Sequence, residues 1–467
     1  MPSRRCVTMT CGICHMTIYY RYPALVLLVL SSTVLVVYFQ STKSLASHRE
    51  IREYSLTQYT FEVNTQQFYT SSSSVLGNTL LRSGEERFLQ INTNEAWVYS
   101  AFFDTINDKN LIRVFGIQPR NLQTPVFCYL KTNDQFTVIE GTRSLLVDGN
   151  GKRLRVVSYE CWLTDGRRPD QVSITLKKTD SPTNTLQVLY PSLPRRNFTV
   201  CYAMLFDLTN YSQIIQNVEF NRVLGAEHFF VYNMSISSAT DAVLRHYQKR
   251  GLMTILQWPM NISGIHYFGQ VLAINDCVYR NKGVSKYVVI HDTDEMIVPN
   301  RQNSWKELID QINDNFDQIN DNSTSHETLG TYIFETTCFQ DRPKGSLWSE
   351  IKRNYSISDE MENFFEKYSL TAFTDLLRLN TVWAGTRQKS IVRPDLVLFP
   401  DIHLTTTHRG SATQVVVNHS LALVHHQRKW SVSPSDILEV TALRFKDKVI
   451  PLVNETYLKL IKGHIIQ

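Results

Sequence analysis

The sequence lacks several features that would point directly to a function class. Its 467 residues carry a formal net charge of only +5 and no long run of like charge, which argues against nucleic acid as a partner. No Gly-x-Gly-x-x-Gly pattern follows the first strand of the predicted catalytic part, and no Gly-x-x-x-x-Gly-Lys-Ser/Thr loop occurs. A dinucleotide-binding domain and a P-loop nucleotidase are therefore disfavoured.

Metal-site patterns are also scarce. The 13 histidines are dispersed along the chain, whereas a metal-dependent hydrolase needs several His or Asp ligands clustered around a water. The tandem repeat at 310–322, DQINDNFDQINDN, lacks the glycine and terminal glutamate of an EF-hand loop. It is more typical of a solvated loop or helix edge.

A long apolar run is present near the N-terminus. Residues 22–39, YPALVLLVLSSTVLVVYF, contain no charge and are about long enough for one membrane-spanning helix. We predict an uncleaved signal anchor preceded by a cytosolic tail over 1–21, with a cleaved signal peptide as the alternative. The chain would then be a single-pass type II membrane protein whose catalytic part is lumenal.

Glycosylation sequons and cysteines favour the same compartment. Eight Asn-x-Ser/Thr sequons occur, at Asn197, Asn210, Asn233, Asn261, Asn322, Asn354, Asn418 and Asn454. Five cysteines follow the apolar run, so at least one must stay unpaired within a monomer. We expect Cys128 and Cys161 to form a disulfide, because both lie on predicted strands of one small module.

The rest of the chain divides into three predicted parts. Residues 40–94 are polar and are interpreted as a stem, and 95–190 contain short alternating strands typical of a β-rich module. Residues 191–467 are the predicted catalytic domain, in which strands and helices alternate with short connections as far as about residue 291. Its first helix is expected to begin after Thr209 or Asn210 and to end at Gly225. This rhythm predicts an α/β fold, a mostly parallel sheet with helices on both faces.

The stretch VVIHDTDEMIVP, 288–299, carries the strongest chemical signal. Asp292 and Asp294 follow a buried strand, where ligands of parallel sheets bind, and their alternate positions direct both carboxylates the same way. Two such oxygen donors suit a hard divalent cation that takes its remaining ligands from phosphate. A turn or capping motif is the alternative. Acidic groups at the end of a hydrophobic strand also require a compensating positive charge.

Several motifs together resemble glycosyltransferase family 92: FNRVLGAEHFFVYN, HYQKRG, the run 270–299, QKSIVRPDLVLF and ALVHHQR. The resemblance extends over about 95–428. It implies a GT-A, Rossmann-like fold, a nucleotide-sugar donor and an Asp-x-Asp metal site holding Mn²⁺ or a similar cation. Met296 and Gln427 depart from the residues usual in the family, and these two changes could alter the donor or acceptor pocket.

The resemblance implies a Golgi membrane enzyme that transfers galactose from UDP-galactose, with inversion and a β-1,4 linkage, to a galactose- or fucose-terminated glycan on a glycoprotein or glycolipid. Two other functions are compatible with the sequence. One is a catalytically inactive lumenal protein that binds glycans or nucleotide sugars, and the other is a metal-dependent hydrolase. The sequence is also compatible with a homodimer.

Roles for individual residues follow from the same motifs. Asp292 and Asp294 are the expected metal and diphosphate carboxylates, and Glu295 is expected to support their loop. The remaining candidates are His403 and His426 as further metal ligands; Arg280, Asn275, Asp276, Lys389 and Arg393 as donor-binding residues; and Asp375, Glu335 and Asp401 as alternatives for the general base, with Asp375 favoured.

Overall fold

The computed structural model describes residues 87–92, 95–146, 151–191, 195–320, 327–429 and 435–466. Nearer the N-terminus it describes the backbone of four strands, β1 (Arg5–Cys11), β2 (Cys14–Tyr20), β3 (Leu25–Leu30) and β4 (Thr33–Tyr38). The chain divides into two compact units, 1–80 and 81–467. Most of the predicted stem and the sequon at Asn322 lie outside the described residues.

The apolar run near the N-terminus forms strands. β3 and β4 pair antiparallel, with Leu30 opposite Thr33, and the valines in both segments favour extended backbone. The predicted membrane-spanning helix over 22–39 is therefore wrong. None of the helices in the described part of the chain combines the length and the apolarity needed to cross a membrane.

A closed barrel of seven strands begins the second unit. In chain order the sheet contains β5 (Leu89–Gln90), β6 (Trp97–Ile106), β7 (Lys109–Pro119), β8 (Val126–Thr132), β9 (Gln135–Leu145), β10 (Leu154–Trp162), β11 (Gln171–Thr175) and β12 (Leu186–Leu189). The pairing of β12 with β6 closes the ring and leaves β5 outside it. The predicted disulfide is confirmed, since Cys128 on β8 is bonded to Cys161 on β10.

A seven-stranded sheet follows. Its strands, in spatial order, are β15 (Met253–Gln257), β14 (Ala226–Asn233), β13 (Arg196–Leu205), β16 (Ser285–Ile290), β21 (Lys389–Val392), β18 (Thr328–Phe334) and β24 (Ala412–Val417). The first four are parallel neighbours. β21 runs antiparallel to β16 on one side and to β18 on the other.

These sheets correct the predicted fold class. A Rossmann-like GT-A fold behind a membrane helix does not describe a chain that combines a closed barrel with mixed sheets. The error has a physical cause. The strand–helix alternation read from the sequence ends near residue 291, and the strands beyond it pair with partners far away in the chain, which periodicity cannot reveal.

A second mixed sheet and the helices complete the unit. The sheet contains β17 (Glu295–Pro299), β25 (Ala422–Gln427), β19 (Thr336–Asp341), β20 (Leu377–Leu379) and β26 (Ser435–Leu438), and β22 (Val397–Pro400) pairs with β23 (Thr405–His408). The α-helices are α1 (Tyr211–Leu224), α2 (Ser238–Lys249), α3 (Gln270–Arg280), α4 (Trp305–Asn320), α5 (Gly345–Asn354), α6 (Asp359–Lys367), α7 (Thr371–Thr374) and α8 (Lys446–Lys462).

Helix α1 has the predicted ends. The Asn210 side chain accepts a hydrogen bond from the Gln213 amide, and Gly225 takes a left-handed conformation with φ 118°, which glycine adopts without the penalty of a Cβ. A second disulfide, between Cys201 on β13 and Cys277 on α3, joins the sheet to the helix that covers it. Cys338 is buried and unpaired.

A buried charge cluster joins the barrel to the sheet. Asp104 on β6 pairs with Arg113 on β7 at 3.1 Å, with Lys282 after α3 at 3.8 Å, and with Arg409 after β23. Burial opposes ionisation of Asp104, but the three cations outweigh it and lower its pKa to about 2. The two parts of the unit therefore share one network of paired charges.

Candidate functional site

The Asp292–Thr293–Asp294 segment lies at the carboxyl end of β16, next to β13 on one side and β21 on the other. A turn closes here, since the Glu295 amide donates to the Asp292 carbonyl at 3.1 Å. The two aspartate side chains are 44% and 29% exposed, while Glu295 is only 2% exposed. The turn thus presents two carboxylates to solvent and buries the third.

Lys389 supplies the positive charge that the acidic turn requires. β21 pairs antiparallel with β16 and places Ser390 opposite Ile290, which brings the preceding Lys389 beside the turn. Its Nζ lies 2.6 Å from Asp292 Oδ2 and 2.9 Å from Glu295 Oε2. Burial opposes the charge on Lys389, but the two carboxylates raise its pKa well above the ordinary value.

Glu295 organises the turn from below. Its Oε2 accepts a hydrogen bond from the Asp292 amide at 2.9 Å in addition to the bond from Lys389. Burial raises the pKa of Glu295 against the effect of Lys389. For the more exposed Asp292, burial again opposes ionisation, but Lys389 lowers the pKa. One lysine therefore holds both the buried and the solvent-facing carboxylate.

His426 approaches the second aspartate from the other sheet. β25 pairs antiparallel with β17 and sets His426 opposite Glu295, so that Nε2 lies 3.1 Å from Asp294 Oδ2 and Nδ1 lies 3.5 Å from Glu295 Oε1. Burial lowers the pKa of His426, but the bond to Asp294 and the charge of Glu295 raise it above the ordinary value. His426 thus contacts the acidic turn, where the sequence suggested a metal ligand.

His403 lies near the turn but bonds elsewhere. Its Nδ1 is 2.8 Å from the Gln388 carbonyl oxygen, and burial is the main cause that lowers its pKa, with Lys389 contributing. Asp401, two residues earlier, accepts a hydrogen bond from the Ile402 amide at 2.7 Å. His403 therefore contacts the residue that precedes Lys389.

The other donor-binding candidates bond to groups outside the turn. Arg280 and Asp276 form a buried pair on α3 at 2.6 Å, and Asn275 donates to the carbonyls of Val271 and Pro400. The Arg393 amide donates to the Gly330 carbonyl just beyond β21. Arg280 and Asp276 thus pair with each other on α3, Asn275 joins α3 to β22, and their predicted role in donor binding stays a prediction.

The base candidates occupy two different places. Asp375 follows α7, and burial raises its pKa although Thr374 donates a hydrogen bond to its Oδ1 at 3.1 Å. Glu335 joins β18 to β19, with its Oε2 2.9 Å from Nδ1 of His419. The environment of Asp375 thus brings its carboxyl group closer to the pKa a general base needs.

Sequence reasoning missed the polar side chains that α1 buries beneath the turn. Asn217 donates to the Glu295 carbonyl at 2.7 Å, Asn221 lies 3.2 Å from Nε2 of His291, and Gln213 donates to the Thr293 hydroxyl at 2.9 Å. Burial lowers the pKa of His291 to about 4, so the ring is neutral at pH 7. The i, i+4 spacing of these three polar residues on one helix face was the available signal.

The side chains at the turn decide whether a divalent cation fits there. Within the described ranges no three His, Cys, Asp or Glu side chains cluster closely enough to form a metal site by themselves. Asp292 and Asp294 both bond to the protein through Oδ2 and both reach solvent. Such a pair suits a cation that keeps waters and binds substrate phosphates.

Comparison with known proteins adds an independent finding. The model of glycosyltransferase family 92 matches residues 196–460. A Caenorhabditis elegans protein named beta-1,4-galactosyltransferase galt-1 is 23% identical over 225 residues, 47% of this chain and 45% of the relative. Two further proteins of the same nematode are named as members of family 92. One is 23% identical over 224 residues, which are 44% of this chain and 41% of the relative. The other is 26% identical over 121 residues, which are 23% of this chain and 24% of the relative. The matches span less than half the length of each relative.

Proposed function

The chain belongs to glycosyltransferase family 92, and from this membership we propose that it transfers galactose from UDP-galactose to a galactose- or fucose-terminated glycan. The transfer inverts the anomeric centre and forms a β-1,4 linkage. The printed name of one relative, beta-1,4-galactosyltransferase, supports the choice of donor and linkage. The family supports a sugar donor and a glycan acceptor in general.

The observation that carries the proposal is the contact between Lys389 and the carboxylate turn. Lys389, with its Nζ 2.6 Å from Asp292, places a fixed positive charge at the carboxyl end of β16, where a donor diphosphate would lie. Asp292 and Asp294 would hold a divalent cation such as Mn²⁺, which stabilises the negative charge of the departing diphosphate. Glu295 and His426 keep both aspartates oriented.

The chemical step replaces one bond at the sugar by another. The acceptor hydroxyl oxygen forms a bond to the anomeric carbon, while the bond from that carbon to the diphosphate oxygen breaks and UDP leaves with the electron pair. Asp375 accepts the hydroxyl proton. Its raised pKa suits this role, because a base works best when its pKa approaches the working pH.

We place the enzyme in the Golgi lumen. Two disulfides, Cys128–Cys161 and Cys201–Cys277, are typical of an oxidising compartment. Six sequon asparagines are exposed in the structure, at Asn197, Asn210, Asn261, Asn354, Asn418 and Asn454. Exposure is what modification by the secretory machinery requires.

The test is an assay of the full chain, produced in secretory cells, with a panel of nucleotide sugars and glycan acceptors. We expect galactose transfer from UDP-galactose that needs Mn²⁺ and stops in a chelator. A chain that binds UDP-galactose but transfers to no acceptor would be a binding protein instead. Free galactose released at the same rate without any acceptor would identify a hydrolase.

A further inference from the structure

Three aromatic side chains stand exposed together on an otherwise well-packed unit. Phe206, Tyr267 and Phe268 are 54%, 59% and 38% exposed. The rings of Phe206 and Phe268 stack, with centroids 4.9 Å apart and planes inclined by 24°. Exposed aromatic clusters of this kind mark binding surfaces. We refer to these three residues as the aromatic platform.

The backbone beneath the platform is strained. Tyr267 and Phe268 have φ of 38° and 55°, and Asp207, next to Phe206, has φ of 51°. Bulky residues seldom adopt such conformations, and those that do cluster at functional sites. The fully buried Trp258 fixes the turn by donating its indole N–H to the Phe268 carbonyl at 2.9 Å. The fold therefore holds two large rings in solvent at a cost in stability.

The platform lies at the same edge of the sheet as the carboxylate turn. β13 and β16 are parallel neighbours with Cys201 opposite Ile290, and the next residues, Tyr202 and His291, have ring centroids 5.6 Å apart. Phe206 follows directly after β13, as Asp292 follows shortly after β16. The two features thus lie at the carboxyl ends of adjacent strands.

This edge is also where the order of the parallel strands reverses. From β13 the chain continues outward through β14 and β15, and then returns to β16 on the other side of β13. The crevice between the first strand and the returning strand is the place where open sheets with parallel strands bind nucleotides. Phe206 lies at the β13 border of this crevice, and Asp292 with Lys389 lies at the β16 border.

We propose that the aromatic platform stacks against the nucleobase of the donor, while its diphosphate lies toward Lys389. This inference rests on the proposed function and extends it to the base end of the donor. A base offers a flat π-face that aromatic side chains bind without hydrogen-bond readout. The platform offers hydrophobic rings at one end of the crevice, and the acidic turn with its lysine offers charge at the other. A nucleoside diphosphate is the part of the donor that has both kinds of surface.

The experiment compares Phe206→Leu and Phe268→Leu with the wild type, using UDP and pyrophosphate as separate probes. Pyrophosphate reports the charged end alone, because it lacks the base. Loss of a base stack should raise the UDP dissociation constant about 5- to 100-fold and leave pyrophosphate binding unchanged. Phe206→Tyr, which keeps a ring, should bind UDP as the wild type does. Phe136→Leu is the matched control, since Phe136 is an exposed phenylalanine on barrel strand β9, 71% exposed.

Four outcomes would overturn the proposed role of the platform. UDP affinity equal to wild type in both leucine variants would exclude base stacking, and a raised KM for the glycan acceptor in those variants would assign the rings to the acceptor. Equal weakening of UDP and pyrophosphate would indicate a distorted site rather than a lost stack. A folded wild type that binds neither probe would instead overturn the proposed function, and the platform with it.

Discussion

Lys389 Nζ lies 2.6 Å from Asp292 Oδ2 and 2.9 Å from Glu295 Oε2, so one ammonium group serves a solvent-facing and a buried carboxylate. Removing the lysine leaves Glu295 buried without its cation. We expect Lys389→Met to lower the free energy of unfolding by about 3 kcal/mol and to weaken pyrophosphate binding. Urea unfolding measures the first effect, and calorimetric titration the second.

The matched control for this change is Lys306→Met. Lys306 pairs with Asp310 on the exposed face of α4, and its side chain is 70% exposed. Surface ion pairs contribute little to stability, so this variant should unfold like the wild type. If both lysine variants had the same stability, the contact at Asp292 would not hold the turn together.

Asp294 tests the metal role of the turn. Asp294→Asn keeps the side-chain size and the capacity to accept a bond from His426, but removes a charge and weakens a hard-cation ligand. We expect galactose transfer to fall by a factor on the order of 10² or more, because electrostatic stabilisation of a developing charge is usually the largest contribution to such reactions. Transfer is measured with Mn²⁺ and with a chelator. Wild-type activity that persists in the chelator would contradict the metal role, and Asp310→Asn on α4 serves as the neutral control.

Asp375 tests the base. Asp375→Asn removes the proposed proton acceptor and leaves the proposed donor-binding residues in place, so transfer should fall by well over tenfold while the UDP dissociation constant stays the same. Glu335→Gln, made in parallel, should retain activity, since Glu335 pairs with His419 at 2.9 Å. Transfer by Asp375→Asn within about tenfold of wild type, or about 1.4 kcal/mol, would rule Asp375 out.

Asp104 provides a test of pH dependence. Its pKa falls from an ordinary 3.8 to about 2 in the fold, so its charge stabilises the folded state above about pH 4, and this contribution is lost as the pH falls toward 2. Asp104→Asn should therefore lower the free energy of unfolding at pH 7 by at least about 2 kcal/mol. Unfolding curves at several pH values should show the difference between the two proteins shrinking below pH 4. A difference that stays constant down to pH 2 would exclude ionisation of Asp104 as its source.

The exposed sequons predict modification in the secretory pathway. Full chain expressed in animal cells should carry several N-linked glycans, and a glycosidase that removes them should increase its mobility on a denaturing gel. Replacing Asn261 and Asn354 by Gln should each remove one increment of the shift. Asn233 is half-buried at the end of β14, so Asn233→Gln should leave the mobility unchanged. Absence of any glycosidase shift would contradict the lumenal placement.

Local signals carried the successful part of the sequence analysis. Asn210 and Gly225 mark the two ends of α1 through interactions within a few residues. The Asp292–Thr293–Asp294 turn lies just after the strand that precedes it in the sequence. The predicted pairing of Cys128 with Cys161 needed only two strands of one small module. Each of these features is specified by residues close together in the sequence or in one short segment of it.

The missed features depend on distant partners. β21 has only four residues, too few for a periodicity, and its antiparallel insertion beside β16 changes the class of the sheet. The apolar run over 22–39 has the length of a membrane helix, but its valines also suit the strands β3 and β4. In the site, the sequence named Lys389 as a donor-binding candidate, but its bonds to Asp292 and Glu295 depend on the placement of β21 beside β16.

The separation of these partners along the chain has a consequence for biosynthesis. Lys389 follows Asp292 by 97 residues, and His426 follows Asp294 by 132. At about 5–20 residues per second, the ribosome delivers the acidic turn roughly 5–20 s before the lysine that compensates it. Until then Glu295 has no Lys389 beside it. We therefore expect the segment VVIHDTDE to stay partly solvated until the later segments have been translated. A chain that ends before residue 389 would contain the whole acidic turn but not the lysine that compensates it, so we expect the turn not to fold.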